Sequence, residues 1–246
     1  MSFCLMMMMQ NSAHWLKLHL PAMLQANAID CLVTLDGGST DDSREYIKGL
    51  GGYVFERPFD WNFSTQANTL IEACESLKLD SCIRLDPDEM IWCYEINAIC
   101  DLLKTYKLVR QSRLNFWLSR RMYSPYPYPD WQSRAWRLNM GIRYEGRVHE
   151  QLNWQALGWR DQIEVVQAPH LPIYHYGDCI KRALTHYNYW RIQNNLPTVT
   201  ELPIDTPDNF INPSRFSIPY AGPQPIDPDT VGEWAPFDNV NGDMVK

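Results

Sequence analysis

Three short, almost wholly apolar runs, separated by segments of helical spacing, constrain this chain more than any other feature. Phe3 to Met9 is continuous apolar sequence that stops at Gln10 and Asn11, Cys31 to Leu35 is a second such run, and Ser81 to Leu85 a third. A strand that is apolar on both faces belongs in the middle of a parallel sheet covered on each side, because a half-exposed strand would alternate. Between the runs, His14 to Asn27 places Trp15, Leu16, Leu20, Met23 and Leu24 at helical spacing, with Ser12 as a cap and Pro21 as a kink. Asp41 to Lys48 is a short helix led by acids that suit its N-terminal dipole. Gly52 to Phe55 reads as a further strand. Ser64 or Thr65 opens a helix through Lys78, with Ala67, Leu70, Ile71, Cys74 and Leu77 on one face.

Alternating strands and helices predict an α/β fold, a mostly parallel central sheet flanked by helices, with ligands beyond the carboxyl ends of the strands. After Met90 the pattern turns antiparallel. Asn115 to Arg120, Ser133 to Leu138 and Ile163 to Val166 read as strands, and Asp178 to Asn194 as a helix. From Pro197 onward eight prolines recur without period, Pro203 to Pro236, so 1–196 reads as the folded domain and 197–246 as an extended proline-rich C-terminal tail.

The net charge of −7 argues against binding a nucleic-acid backbone, so any anionic ligand must meet local positive charge from arginines, a helix N-terminus or a metal ion. Seven scattered cysteines, with no C-x-x-C pair, suit a reducing compartment. With no basic leader and no apolar stretch of membrane-spanning length, the expectation is a cytoplasmic protein without a transmembrane segment.

Three clusters carry chemistry. Asp36-Gly37-Gly38-Ser39-Thr40-Asp41-Asp42 sits between a strand and a helix, where glycine lets the backbone approach a ligand; an ordinary capped turn explains the same residues. Asp86-Pro87-Asp88-Glu89 places three acids in four positions at a strand end. Two carboxylates so spaced can share one hard cation, Mg2+ or Mn2+, which takes a few carboxylates with waters and substrate phosphates; a solvated acidic turn is the rival. Gly146-Arg147-Val148-His149-Glu150, followed later by His175-Tyr176-Gly177, adds histidines for metal or proton chemistry and a carboxylate suited to a general base. His14, His19, His170 and His186 read as structural. The run Tyr123 to Trp131 interleaves aromatics with prolines, either a loop over a ligand site or a packed connection.

In order and content these segments resemble the family 2 glycosyltransferases of the GT-A fold, over about residues 3 to 192. Val33 to Ser43 looks like that family's nucleotide-binding segment. Phe59 to Ser64, with Asn68 at a helix start, follows it. Leu85-Asp86-Pro87-Asp88-Glu89 is similar to its D-x-D-E metal motif, Gly146 to Glu150 to the G-x-V-H-E segment of one branch, and His175-Tyr176-Gly177 precedes a basic helix with Lys181 and Arg182. The chain departs from the pattern at Gln10-Asn11-Ser12, where relatives place Lys-Asn-Glu, and at Ala67, where they place Arg before Asn. Arg84, Arg120, Arg121, Arg134 and Arg147 are the candidates to supply the missing cation.

The resemblance implies a metal-dependent, inverting transfer of a sugar from a nucleotide-sugar donor to a glycan, lipid-linked or protein acceptor. Asp36, Gly38, Ser39, Asn68 and Asp86 would contact the donor, and Asp86, Asp88 and His175 the metal, Mn2+ or Mg2+. Glu150 would act as base, with His149, Asp130 and Asp178 as rivals. Two other readings stay open: a catalytically silent glycan- or partner-binding relative, and a nucleotidyltransferase, although Gln10 to Ala13 lacks the basic Gly-rich loop that a triphosphate requires.

Overall fold

The computed structural model describes residues 1–116, 122–124, 128–161, 163–177, 188, 190–199 and 218–219. In chain order the elements are β1 Phe3–Met9, α1 Ala13–Met23, β2 Cys31–Asp36, α2 Ser43–Gly49, β3 Tyr53–Glu56, α3 Phe63–Ser76, β4 Ser81–Leu85, β5 Glu89–Met90 and α4 Cys93–Thr105. They continue with β6 Leu108–Phe116, β7 Met122–Ser124, β8 Asp130–Arg137, β9 Tyr144–Glu145, β10 Gln151–Leu152, a 3-10 turn Asn153–Gln155, β11 Val165–His175 and β12 Ile218–Pro219. The chain divides into two compact units, Met1–Ser112 with Trp131–Ile173, and Arg113–Asp130 with Tyr174–Lys246.

In the first unit β4, β1, β2 and β3 lie side by side and parallel, with Met6 opposite Val33 and Arg84 and with Asp36 opposite Met9. The period of two gives β1 two apolar faces. Cys4 and Met6 pack in one cluster with Val33 and Leu35 of β2 and with Ala67, Leu70, Ile71 and Cys74 of α3. Leu5 and Met7, just as deeply buried, point the other way. β8 runs antiparallel to β4, Ala135 facing Ile83, and β6 follows next to it. β9 and β10 form a separate hairpin, pairing Tyr144 with Leu152 and Glu145 with Gln151.

In the second unit β7 pairs antiparallel with the end of β6, Phe116 opposite Tyr123, and with β12. Phe116 stacks on Tyr176 at a centroid distance of 4.7 Å.

The expected α/β order is present, but β6 begins at Leu108 where the sequence reading placed a strand from Asn115, β11 runs on to His175 where it stopped at Val166, and the helices differ in three ways. Helix α3 starts at Phe63 because Asn62, extended, accepts the Thr65 N–H in its side chain at 3.1 Å, ahead of the expected Ser64 or Thr65 cap. Ser12 precedes α1 without capping it, since its hydroxyl turns back to the Gln10 carbonyl. Helix α4, with Ile96, Ile99, Cys100 and Leu103 buried, occupies a stretch where the sequence reading placed no element. The expected helix over 178–194 falls mostly outside the described residues, as does the tail. Among the described residues no helix is long and apolar enough to cross a membrane.

Leu70 has no exposed surface and joins α3 to the sheet. Leu70→Ala should therefore cost about 2 to 5 kcal/mol, a fall in melting temperature of roughly 5 to 15 °C by calorimetry.

Candidate active site

The carboxyl ends of β2 and β4 flank β1 on one edge of the parallel sheet, which brings Asp36 and Asp86 to the same side. At Asp36 the backbone turns sharply. The Gly37 N–H donates to the Met9 carbonyl at 2.7 Å, and a Cβ on Gly37 would lie 3.1 Å from Cβ of Phe59. Gly38 has φ of +102°, a conformation open to glycine. The buried Asp36 carboxylate closes this turn, accepting the N–H groups of Gly38 at 3.1 Å and Ser39 at 3.0 Å and the Ser39 hydroxyl, with Arg44 Nη1 at 3.6 Å. Asn11 Oδ1 holds the next residues by accepting the Thr40 N–H at 2.7 Å.

At the end of β4 the Asp86 N–H donates to Glu89 Oε2 at 3.0 Å and the Glu89 N–H to the Asp86 carbonyl at 2.9 Å, closing the Asp-Pro-Asp-Glu turn. Two buried guanidiniums enter it. Arg84 Nη2 lies 2.8 Å from Asp86 Oδ1 and 3.2 Å from Glu150 Oε1. Arg134 Nη2, from β8, lies 2.9 Å from Asp86 Oδ2 and 2.8 Å from Glu89 Oε1. The result is an alternating chain of charge, Glu150, Arg84, Asp86, Arg134, Glu89. Burial alone would lower the Arg84 pKa; Asp86, Tyr144, Glu150 and Glu89 more than offset this and hold it above its ordinary value. The Tyr144 ring lies under the Arg84 guanidinium at 5.1 Å.

Glu150 reaches this chain because of the β9–β10 hairpin, whose connecting residues are Gly146 to Glu150. Gly146 at φ +94° and His149 at φ +56° shape the connection. Its outer side is tied down where the Phe63 N–H donates to the Arg147 carbonyl at 3.0 Å and Arg147 Nε to the Trp61 carbonyl at 3.3 Å. His149 is exposed, whereas the Glu150 side chain is only 12% exposed. Asn68, expected at the donor, clamps the hairpin: its Nδ2 donates to the Tyr144 carbonyl at 3.0 Å and its Oδ1 accepts the Tyr144 N–H at 2.8 Å. Ala67 is a core position, 1% exposed, so no cation is held there; Arg57, bonded to buried Gln66 at 2.6 Å, lies on the preceding segment.

One contributor escaped the sequence reading. His19, fully buried on α1, holds its Nδ1 2.9 Å from the carbonyl oxygen of Pro87, the residue between Asp86 and Asp88. A carbonyl only accepts, so Nδ1 carries the proton. The available signal was its place on the apolar stripe of α1, one step from Leu16 and Leu20.

Asp88 is half-buried on the same turn. Among the described residues no three His, Cys, Asp or Glu side chains gather into a ready cage for a metal. Asp86 and Asp88 nevertheless supply hard oxygen donors on one turn. That donor set fits a cation such as Mn2+ or Mg2+, which keeps waters and takes phosphate oxygens. His175 lies in the second unit, buried at the end of β11, with Nδ1 2.7 Å from Asn115 Oδ1. Asp130, a rival base, pairs there with Arg113 at 2.8 Å. Arg120, Arg121, Asp178, Lys181, Arg182, His186 and part of the Tyr123 to Trp131 run lie outside the described residues.

The buried neutral form of His19 has a pKa lowered by burial to about 4, against a partial rise from the Pro87 carbonyl. Its stabilising contribution is thus complete above the unfolded value of about 6.5 and is lost as pH falls towards 4, by about 2 kcal/mol between pH 7 and pH 5. His19→Asn keeps a donor but cannot titrate, so urea midpoints at the two pH values should differ less for the variant than for the parent by that amount. Removing Arg84 leaves Glu150 and Asp86 facing each other without it. Arg84→Met should lower stability by about 3 to 5 kcal/mol, read from the same urea curves.

No protein-family model matches the sequence, and no curated protein does. Solved structures do. Glucosyl-3-phosphoglycerate synthase from Mycobacterium tuberculosis, solved in complex with Mn2+, uridine diphosphate and glucosyl-3-phosphoglycerate, aligns with a TM-score of 0.53 at 13% identity, over 89% of this chain and 87% of that one. S. aureus TarS 1–349 aligns with a TM-score of 0.49 at 11% identity, over 78% of this chain and 64% of that one. The chain spans 39% of the longer S. aureus TarS structure. At these identities the likeness speaks for architecture, and with the parallel sheet order and its flanking helices it establishes that the chain has the GT-A fold of the glycosyltransferases.

Proposed function

We propose that the chain is a family 2 glycosyltransferase that transfers a sugar from a nucleotide-sugar donor to an acceptor hydroxyl with inversion, residues 1–196 forming the transferase portion and 197–246 an extension. The observation that carries this reading is the Glu150, Arg84, Asp86 arrangement at the carboxyl end of β4, which places a carboxylate suited to a base beside a carboxylate suited to a metal. The solved synthase that shares the fold was captured with Mn2+ and uridine diphosphate, which favours a uridine or other nucleoside diphosphate sugar and a divalent cation here.

In this account Gly38 and Ser39 present the backbone of the β2 turn to the donor, while Asp36 and Asn68 fix the turn and the hairpin from behind. Asp86 and Asp88 would hold the cation, whose positive charge would stabilise the leaving diphosphate. Glu150 Oε1, oriented by Arg84, takes the proton of the attacking hydroxyl; one base suffices for a single displacement with inversion. His19 holds the Asp86-Pro87-Asp88 turn at Pro87.

A silent binding relative is the second reading, favoured by one observation: both Asp86 oxygens already face guanidiniums. The melting temperature of the chain across a panel of nucleotide-sugars, with and without Mn2+, separates the two. A donor at a hundredfold excess over Kd adds about 2.7 kcal/mol, roughly 5 to 10 °C for a chain of this size. The rise should require Mn2+ and vanish in Asp88→Ala; no rise with any donor would favour the silent protein. Glu150→Gln should keep the donor-dependent rise but lower turnover by about 100- to 10,000-fold, and near-normal turnover would remove Glu150 from the role.

A further inference from the structure

Away from the candidate site, the first unit holds a row of sulfur atoms near the amino ends of its parallel strands. Cys4 on β1 stands directly opposite Cys31 on β2 and opposite Cys82 on β4, and all three pack with Cys74 of α3 in one cluster. Cys4 Sγ lies 3.8 Å from Cys74 Sγ, which in turn lies 3.6 Å from the thioether of Met6. Cys4, Cys74 and Cys82 have no exposed surface, whereas Cys31 is half-buried and opens the row to solvent. The Cys4 and Cys31 thiols share a hydrogen bond. It lowers the Cys31 pKa, and together with the Cys74 thiol and burial it raises that of Cys4. The negative charge of the pair therefore sits on the accessible sulfur, and the thiolate is the form that reacts. Neighbouring strands lie about 4.7 to 4.9 Å apart, inside the Cα separation of about 4.4 to 6.8 Å that a disulfide spans. Cys31 and Asp36 are the two ends of β2, about 16 Å apart along the strand, so the row is separate from the candidate site.

We propose that Cys31 is a site of reversible oxidation by a hydroperoxide, with Cys4 as the resolving thiol that closes a disulfide between β1 and β2. The inference is independent of the reading of the donor site. In the first step the Cys31 thiolate attacks a peroxide oxygen: an S–O bond forms, the O–O bond breaks, and the departing hydroxide takes up a proton and leaves as water. The sulfur is oxidised to a sulfenic acid as the peroxide is reduced. In the second step the Cys4 sulfur attacks the Cys31 sulfur, the S–S bond forms and the S–O bond breaks, and the Cys4 proton leaves with the hydroxide as a second water. Two thiols and one hydrogen peroxide thus give one disulfide and two waters, the usual fate of a sulfenic acid that meets a thiol. A bridge between directly paired strands lies towards the short end of the allowed span, and strained bridges are readily reduced, so a thiol reductant reverses the step.

The test exposes the full chain, reduced and then freed of reductant, to a slight excess of hydrogen peroxide at pH 7, followed by catalase and blocking with N-ethylmaleimide in denaturant. Free thiols should fall from seven to five per chain. Trypsin should then release one joined pair of peptides, 1–17 with 18–44, lighter by two hydrogens than their sum and separated by dithiothreitol. Cys4→Ala should retain the sulfenic acid, captured at Cys31 by dimedone, and Cys31→Ala should leave Cys4 reduced under the same exposure. Seven free thiols after exposure overturn the proposal, as does first oxidation at any other cysteine or a Cys4 to Cys74 bridge formed while Cys31 stays reduced. Cys31 carried to the sulfinic acid with Cys4 still a thiol overturns the resolving role. The digest of the parent chain decides each of these points even if Cys4→Ala folds poorly.

Discussion

The buried alternation of Glu150, Arg84, Asp86, Arg134 and Glu89 governs the architecture of the first unit around its candidate site. Removing Arg84, Arg134 and Glu89 from water costs several kcal/mol for each, and the arrangement is tolerable because each of them faces an opposite charge at hydrogen-bond distance. Four elements contribute to it: β4 gives Arg84, β8 gives Arg134, β5 gives Glu89 and the β9–β10 hairpin gives Glu150. None of these can shift by an ångström without leaving a buried charge uncompensated. The pairing therefore decides where the hairpin stands relative to the Asp-Pro-Asp-Glu turn.

The same site shows how the chain divides work between ligand contact and scaffold. Asp36 is saturated by its own turn, and Asn68 by the Tyr144 backbone, so both act first as clasps. His19 performs a similar service for Pro87. Three separate backbone segments at this edge are each held by one polar side chain, Asp36 and His19 buried and Asn68 half-buried. Such pre-organisation suits chemistry whose catalytic benefit comes from dipoles and charges fixed before the reaction begins.

Much of the first unit was legible in the sequence because its signals are local. Phe3 to Met9 and Cys31 to Leu35 announce buried strands by their composition, Ser81 to Leu85 follows in the alternation of strand and helix, and the acids of Asp86 to Glu89 are neighbours in the chain. Helix α4 was legible in principle, since Ile96, Ile99, Cys100 and Leu103 keep helical spacing, but the acidic turn just before it and the strand-rich sequence after it drew the pattern towards sheet. The contacts that assemble the site were not legible, because they join residues far apart: Arg84 to Glu150, Asn68 to Tyr144, His19 to Pro87. No periodicity encodes such pairings. Ala67 illustrates the point, for it reads as a missing cation in the sequence and proves to be a core residue under the sheet.

The central claim is that this edge of the sheet releases a nucleoside diphosphate from a sugar donor. Phosphorus NMR of the full chain with Mn2+, a nucleotide-sugar and a mixed pool of hydroxyl acceptors tests it most directly, with a nucleoside triphosphate and sugar phosphate in a parallel sample. The account predicts nucleoside diphosphate growing in the first sample and no pyrophosphate in the second. Pyrophosphate in the second sample with an unchanged donor in the first would contradict it.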